Sequence, residues 1–342
     1  MKILIYTDLH MCPRASIISK WGTTYPVRLE NCIKSVNWAE ELAEKLGCTQ
    51  IFNLGDFFDK PELSSETITA LTEINWSSLA HTHLVGNHEA SVSSLDMNSI
   101  NVLASNKHRI ISEPAKDTTV TGVEICFLPY VTESNRRSLV EYFGEKTKPR
   151  VILSHNDLAG IQMGPIVSQT GFSVDEIEAN CDLFINGHLH NGQQISNKII
   201  NLGNLSGKDF GEDANRYSHN IMVLDTDTLN YEFIENPFAF NFYKIQVETP
   251  SDLTQLHQLK SNAICSIKCD SELLAEVKKE LSDLSNSILE SRIIITKKYK
   301  ESTEETTDID LSVDHLARFI ECCKANIENT TILDEEIAEV CK

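Results

Sequence analysis

No stretch of this 342-residue sequence approaches the roughly 20 consecutive apolar residues that a membrane-spanning helix needs. The opening run, KILIYT at 2–7, meets Asp8 too soon to be the apolar core of a signal peptide and reads as a buried first strand. Paired cysteines are missing too. Cys12, Cys32, Cys48, Cys126, Cys181, Cys265, Cys269, Cys322, Cys323 and Cys341 are scattered, and only Cys265 and Cys269 stand close enough for a clip, with no second pair to complete a zinc site. Reduced, buried thiols are expected, and with them a soluble protein of the cytoplasm. Positive charge is scarce: 30 Lys and Arg face 50 Asp and Glu, a formal net charge of −20. That excludes a basic surface gripping nucleic acid without specificity. The deficit is uneven. Residues 301–342 hold twelve acids and three bases, a net of −9, which leaves −11 for the first 300.

What is present is an alternation of short apolar runs with helical patterns. KILIYT (2–7), QIFNL (50–54), HLV (83–85), VEICFLPY (123–130), RVILS (150–154), DLFIN (182–186), KIINL (198–202) and NIMVLD (220–225) read as strands. Leu29, Ile33, Val36, Ala39, Leu42, Ala43 and Leu46 recur at spacings of three and four, and Gly47 stands where a helix cap belongs. This pattern predicts an α/β core whose sheets are covered by helices. From about residue 240 a second unit reads as β-α-β-α-β, ending near 299. An acidic linker at 300–310 follows, and then an apolar stripe of Leu316, Phe319, Ile320, Cys323 and Ile327. The expected division is 1–238, 239–300 and 301–342.

The chemistry gathers where the strands run out. Asp8-Leu9-His10 follows the first, Gly55-Asp56-Phe57-Phe58-Asp59 the second and Gly86-Asn87-His88-Glu89 the third. His155 follows RVILS, and Gly187-His188-Leu189-His190 follows DLFIN. The carboxyl ends of strands in an open α/β sheet share one rim, and ligands bind there. Carboxylates, an amide oxygen and imidazoles are ligands for manganese, iron or zinc. Seven of them suit two ions with a shared carboxylate, an arrangement that clamps a phosphate for in-line attack.

These motifs, in this order, resemble the calcineurin-type metallophosphoesterases over about residues 1–235. The resemblance implies a β-sandwich flanked by helices. It implies Asp8, His10 and His190 on a first metal, Asn87, His155 and His188 on a second, and Asp56 bridging. His88 would then face the leaving oxygen as general acid or charge stabiliser, with Asp59 orienting it. Glu89 stands where the family more often has aspartate, which implies a local hydrogen-bonding change.

FNLGDFFDKPELSSETI, SHNDLAGIQMGP and NLGNLSGKDFGED look like the SbcD-type nuclease subunits of double-strand-break repair and recombination. On that resemblance, 239–300 is a small α+β capping domain that guides DNA. The resemblance implies that the C-terminal helices clasp an SbcC-type coiled-coil ATPase, folding back onto the capping domain being the alternative for their apolar face, and that the chain works as a homodimer within a heterotetramer, with no membrane role. The cofactors would be two divalent ions, manganese first, with magnesium, iron or zinc as alternatives. The activity implied is exonuclease on duplex ends and endonuclease on single strands. Arg136, Arg137, Lys208, Lys297, Lys298 and Lys300 are candidate contacts to a DNA backbone. A free-standing phosphodiesterase on small nucleotides and a non-catalytic scaffold of the same fold are the alternatives.

Overall fold

Eight strands anticipated from apolar runs, joined by four that were not, assemble into two six-stranded sheets that pack face to face. The computed structural model describes residues 1–91, 94–117, 120, 122–163 and 166–296. The acidic linker, the C-terminal stripe, Lys297, Lys298 and Lys300, and Cys322, Cys323 and Cys341 lie outside these. The first sheet runs Tyr231–Glu235, Asn220–Asp225, Lys2–Tyr6, Gln50–Asn53, Ala80–Leu84, His108–Ile111, its last four strands mutually parallel. The second runs Gln193–Gln194, Ile199–Asn201, Leu183–Asn186, Arg150–Ser154, Glu124–Leu128, Ala115–Asp117, with four parallel strands at its centre.

Strand alternation sends successive side chains to opposite faces, and three cores result. Ile3, Ile5, Phe52 and Leu84 of the first sheet meet Ile125, Phe127, Val151 and Ile185 of the second between the sheets. Leu4, Tyr6 and Ile51 point the other way, onto the helix Val27–Lys45 and its stripe of Leu29, Cys32, Val36, Ala39 and Ala43. Cys126, Ile152 and Phe184 do the same on the outer face of the second sheet, under Leu139 and Phe143 and the helix Val174–Asn180. The molecule is therefore a mixed α/β sandwich flanked by helices. The first helix stops where Gly47 takes φ +69°, a value that costs glycine little.

After this comes a three-stranded parallel sheet, Asn241–Val247, Ala263–Asp270 and Ile288–Thr296, with its own apolar cluster built on Tyr243, Ile245, Cys265, Ile267 and Val277. Cys265 and Cys269 are buried free thiols there, as expected for a strand interior. The first helical stretch of this β-α-β-α-β unit is not an α-helix but a 3₁₀ helix, Pro250–Gln258, opened by a reciprocal cap between Thr249 and Asp252. Its buried residues are Leu253 and Leu256, three apart, and that spacing lies on one line in a three-residue turn. Among the described residues, no helix is long and apolar enough to cross a membrane.

A buried histidine stack sits at the far edge of the first sheet. His81 and His108 lie 4.2 Å apart and nearly parallel, and His83 Nε2 is 3.0 Å from His108 Nδ1. Glu40 contacts His81 Nε2 at 3.0 Å with both oxygens. Burial, with His108 and His81 beside it, holds His83 well below the ordinary histidine value. Burial and His81 bring His108 down from 6.5 to about 4. A histidine depressed in the folded state stays neutral there while the unfolded chain takes up a proton. Stability is therefore intact above 6.5 and lost as pH falls towards 4. A loss on the order of 2 kcal/mol is expected between neutrality and about pH 5, since each pH unit below the unfolded value is worth about 1.4 kcal/mol. Urea melts of wild type and His108→Gln across this range check it; equal pH dependence in the two would refute the assignment.

Candidate metal centre

Residues that the sequence separates by some 180 positions meet on one rim of the sandwich. Asp8, Asp56 and Asn87 leave the carboxyl ends of three adjacent parallel strands of the first sheet. His155, His188 and His190 leave two adjacent strands of the second. The backbone is bent hard to achieve this. Asp8, His10, Asp56 and His188 all take left-handed φ values, 52°, 47°, 51° and 73°. Such conformations cost non-glycine residues roughly 1–3 kcal/mol each and persist only when surroundings enforce them. Here Asp8 N donates to Gly55 O at 3.0 Å, His10 N to Asp56 O at 2.9 Å and His188 N to Asp8 Oδ2 at 2.9 Å. A Cβ on Gly86 would fall onto the Asp56 carboxylate, and one on Gly187 onto Thr7 and Asp8. Both glycines are there because backbone must pass against a ligand group.

The donor atoms form two sets. Asp8, His10 and His190 present one group and Asp56, His155 and His188 another, and two further groups overlap them, His10 with Asp56 and His88, and His190 with Asp209 and Glu212. Tautomers follow from the outward partners. His155 Nδ1 lies 2.8 Å from Leu54 O and therefore carries a proton, which makes Nε2 the nitrogen that can offer a lone pair to a cation. That lone pair faces Asn87 Oδ1 at 3.2 Å and Asp56 Oδ2 at 3.3 Å. His188 Nε2 donates to Asp157 Oδ1 at 3.1 Å, so its Nδ1 lone pair also faces Asn87 Oδ1, at 3.0 Å. In the other set, His190 Nδ1 donates to Glu212 Oε1 at 2.9 Å, and its Nε2 points at His10 Nε2, 2.9 Å away. Asp8 Oδ1 is buried beside them with no hydrogen-bond partner among the described residues.

Acceptors that face acceptors in a dry site call for a cation between them. The pKa values register the same demand. Burial works against the charged form of His155, yet Asp56 and Asp8 hold it up at about 9. Burial would raise Asp56, but His155 and His10 bring it down to about 2. Burial opposes ionisation of Asp8 as well, and His155 and His10 overcome it and hold the carboxyl well below its usual range. Nitrogen and oxygen donors of this kind fit first-row divalent ions. The residues present thus fit a pair of metals.

His88 lies at the edge of the set, its ring 4.7 Å from that of His10. Its amide donates to Asp56 Oδ1 at 3.0 Å. Its Nδ1 sits 2.9 Å from the main-chain carbonyl of Asp59 and 3.9 Å from that residue's carboxylate. The Asp59 carboxylate is instead engaged by Lys208 Nζ at 2.6 Å and His10 Nδ1 at 3.2 Å. Asp59 thus touches His88 through its backbone, and its side chain fixes the outward face of His10. Burial pulls His88 below the usual histidine value against the charge of Asp56. Glu89 accepts from Phe58 N at 3.1 Å and Gly86 N at 2.9 Å. It ties two of the ligand loops together from behind and points away from the donor atoms. Burial and the Asp56 charge push it up to about 8.

Four supporting residues have no motif to announce them. Asp157 and Glu212 fix the tautomers of His188 and His190. Lys208, read from sequence as a backbone contact, has its ammonium 3.2 Å from His10 Nδ1, inside the site. The fully buried Arg28 donates to Leu9 O, His10 O, Ser206 Oγ and Gly207 O, stitching the first ligand loop to the segment that carries Lys208. Asp157 could have been found as an acid two places after His155. Lys208 and Glu212 lie in the segment NLGNLSGKDFGED, but nothing in it points to His10 or His190 as their partners, and nothing local marks Arg28. Arg136 pairs with Glu133 and lies over Phe172.

Carboxylates behind metal-binding histidines typically carry about 10–100-fold in metal affinity. Glu212→Gln is expected to weaken manganese binding by about that factor, read by calorimetry on protein whose folding is verified by a melting curve. Undiminished affinity would remove Glu212 from the site.

The calcineurin-like phosphoesterase profile matches residues 1–192, just over half the chain and ending short of residue 235. No curated protein sequence matches the chain. Among solved structures, a dimetal phosphatase from Danio rerio is 13% identical over 69% of this chain and 98% of its own, with a TM-score of 0.39. The TT1561 protein of Thermus thermophilus is 9% identical over 68% of this chain and 98% of its own, also at 0.39. The profile match and the geometry of the rim, and not these distant folds, carry the assignment.

Proposed function

The chain belongs to the calcineurin-like phosphoesterase family and is a metal-dependent phosphoesterase; from that premise we propose that it is a manganese-dependent DNA nuclease subunit of the SbcD type. The observation that carries the catalytic part is the pair of lone-pair clusters on one rim. Asp8, His10 and His190 would hold one ion, Asn87, His155 and His188 the other, and Asp56 would bridge. When bound, the ions supply Lewis-acid polarisation of a phosphoryl oxygen and a nucleophile from water at neutral pH.

The protein's own groups do the rest. Asp157 and Glu212 keep His188 and His190 in the tautomers that present lone pairs inward. His88 commits Nδ1–H to the Asp59 carbonyl, so donation from Nε2 towards a leaving oxygen requires the imidazolium. Lys208, paired with the Asp59 carboxylate, holds its ammonium against the outward face of His10 and helps fix that ring.

Support for DNA as substrate comes from the sequence segments around the metal motifs and from the parallel three-stranded unit that follows the sandwich. The acidic, apolar-striped C-terminal segment suits a basic coiled coil of an SbcC-type ATPase. The net charge of −20 favours a small nucleotide substrate instead. The test is manganese-dependent digestion of linear duplex DNA, compared with bis-p-nitrophenyl phosphate and cyclic nucleotides, with and without the ATPase. Digestion of duplex ends, enhanced by the partner, is expected. Turnover of cyclic nucleotides with DNA left intact would overturn the nuclease reading and leave the phosphoesterase.

A further inference from the structure

Beside the metal centre opens a cleft of about 370 Å³, walled by Asn87, Leu95, Tyr130, Val131, Thr132 and Asn135. That is within the about 300–1,000 Å³ typical of small-molecule sites. It is continuous with the centre. Asn87 belongs to both, and the Tyr130 ring lies 6.0 Å from that of His188 at 40°. A substrate phosphate at the rim therefore places its nearest substituent at the mouth of the cleft.

The lining decides what the substituent is. No lysine, arginine, aspartate or glutamate is among the described residues that wall it. The charges that bear on its Tyr130 wall are the Asp157 and Asp56 carboxylates, and Arg136 is paired with Glu133. A neutral cleft gives a second phosphate no counter-charge, so it takes an uncharged group. Leu95 and Val131 supply apolar contact and Tyr130 an aromatic face. The Asn135 side-chain amide offers a donor and an acceptor, and no partner among the described residues takes them up; its main chain is engaged at both ends, the amide donating to Thr132 O and the carbonyl accepting from Tyr142. A flat group with a π-face and a polar edge satisfies all of these at once.

We propose that this cleft is a nucleobase subsite, seating the base of the nucleotide whose phosphate lies at the metal centre. The proposal rests on the phosphodiesterase reading above and deepens it: the substrate class is a nucleotidyl diester, recognised through one neighbouring base.

The test compares three diesters on the manganese-loaded protein: methyl p-nitrophenyl phosphate, phenyl p-nitrophenyl phosphate and thymidine 5′-(p-nitrophenyl phosphate). The thymidine ester should exceed the methyl ester in kcat/KM by about tenfold or more, the scale of one stacked base. Leu95→Trp, which fills the cleft, should bring that ratio close to one. Asn135→Ala, at an exposed position, should lower it severalfold. Because the readout is a ratio on the same sample, a partly inactive variant does not distort it. Equal rates for the methyl and thymidine esters in the wild type, or a ratio that survives Leu95→Trp, would overturn the subsite and leave the phosphodiesterase intact. A phenyl ester as good as the thymidine ester would overturn the base and leave an unspecific aromatic slot. No turnover of any diester would overturn the phosphodiesterase reading itself.

Discussion

His88→Ala is expected to leave the manganese content of the protein unchanged and to lower hydrolysis of bis-p-nitrophenyl phosphate by about 10²–10⁴-fold, the span of a positioned acid or base. The geometry separates the two readouts. His88 lies beside the ligand set, with Nδ1 turned back to the Asp59 carbonyl and its ring edge-on to His10. Its ring can also group with His10 and Asp56, but with Nδ1 committed to Asp59 O its removal leaves Asp8, His10 and His190, and Asp56, His155 and His188, complete. The amide that donates to Asp56 Oδ1 is also retained. Elemental analysis after gel filtration, run beside the kinetic assay, checks it. Loss of metal together with activity would make His88 a ligand and reassign its role.

Asp56→Asn is expected to do the opposite: metal retention collapses and activity goes with it. Asp56 is the carboxylate whose Oδ2 approaches both sets, at 3.7 Å from His10 Nε2 and 3.3 Å from His155 Nε2. An amide keeps the volume and can still accept from the His88 amide, so folding is spared. It removes the negative charge between clusters of neutral imidazoles. Without it a pair of dications is held by too few anionic donors. Manganese affinity should fall by at least about 100-fold, beyond the effect of a supporting carboxylate such as Glu212. Titration calorimetry on wild type and variant, with melting curves to verify folding, provides the check. Retention of two tightly held ions by Asp56→Asn would remove this carboxylate from its bridging place.

The ligand types were legible because each sits immediately after an apolar run, and the chain can place a polar side chain at a strand end in only a few ways. Asp8, Asp56, Asn87, His155, His188 and His190 all obey that rule. The helix Val27–Lys45 was legible from its repeat of three and four. The 3₁₀ segment was misread because Leu253 and Leu256 fit either helical period over so short a span. The strand Tyr231–Glu235 was not anticipated. It is an edge strand with none of its residues fully buried, so its apolar signal is diluted.

The support of the site was illegible for a different reason. Glu212 reaches His190 across 22 residues, Lys208 reaches His10 across 198, and Arg28 reaches Gly207 across 179. Such pairings depend on which loop lies over which, and sequence-local patterns hold no information about that. The role of Asp59 shows the same limit at short range. Its position close behind Asp56 marked it as functional, but whether carboxylate or carbonyl meets His88 depends on Lys208 arriving from elsewhere.

By itself, then, the sequence determined the layered α/β architecture and the candidate metal-facing groups, since both depend on local periodicity and on the residue types placed directly after each strand. Only the tertiary structure decided the tautomers, the partners behind each histidine and the neutral cleft beside them. Those are properties of atoms brought within about 3 Å of one another by packing the two sheets, and no stretch of chain carries them alone.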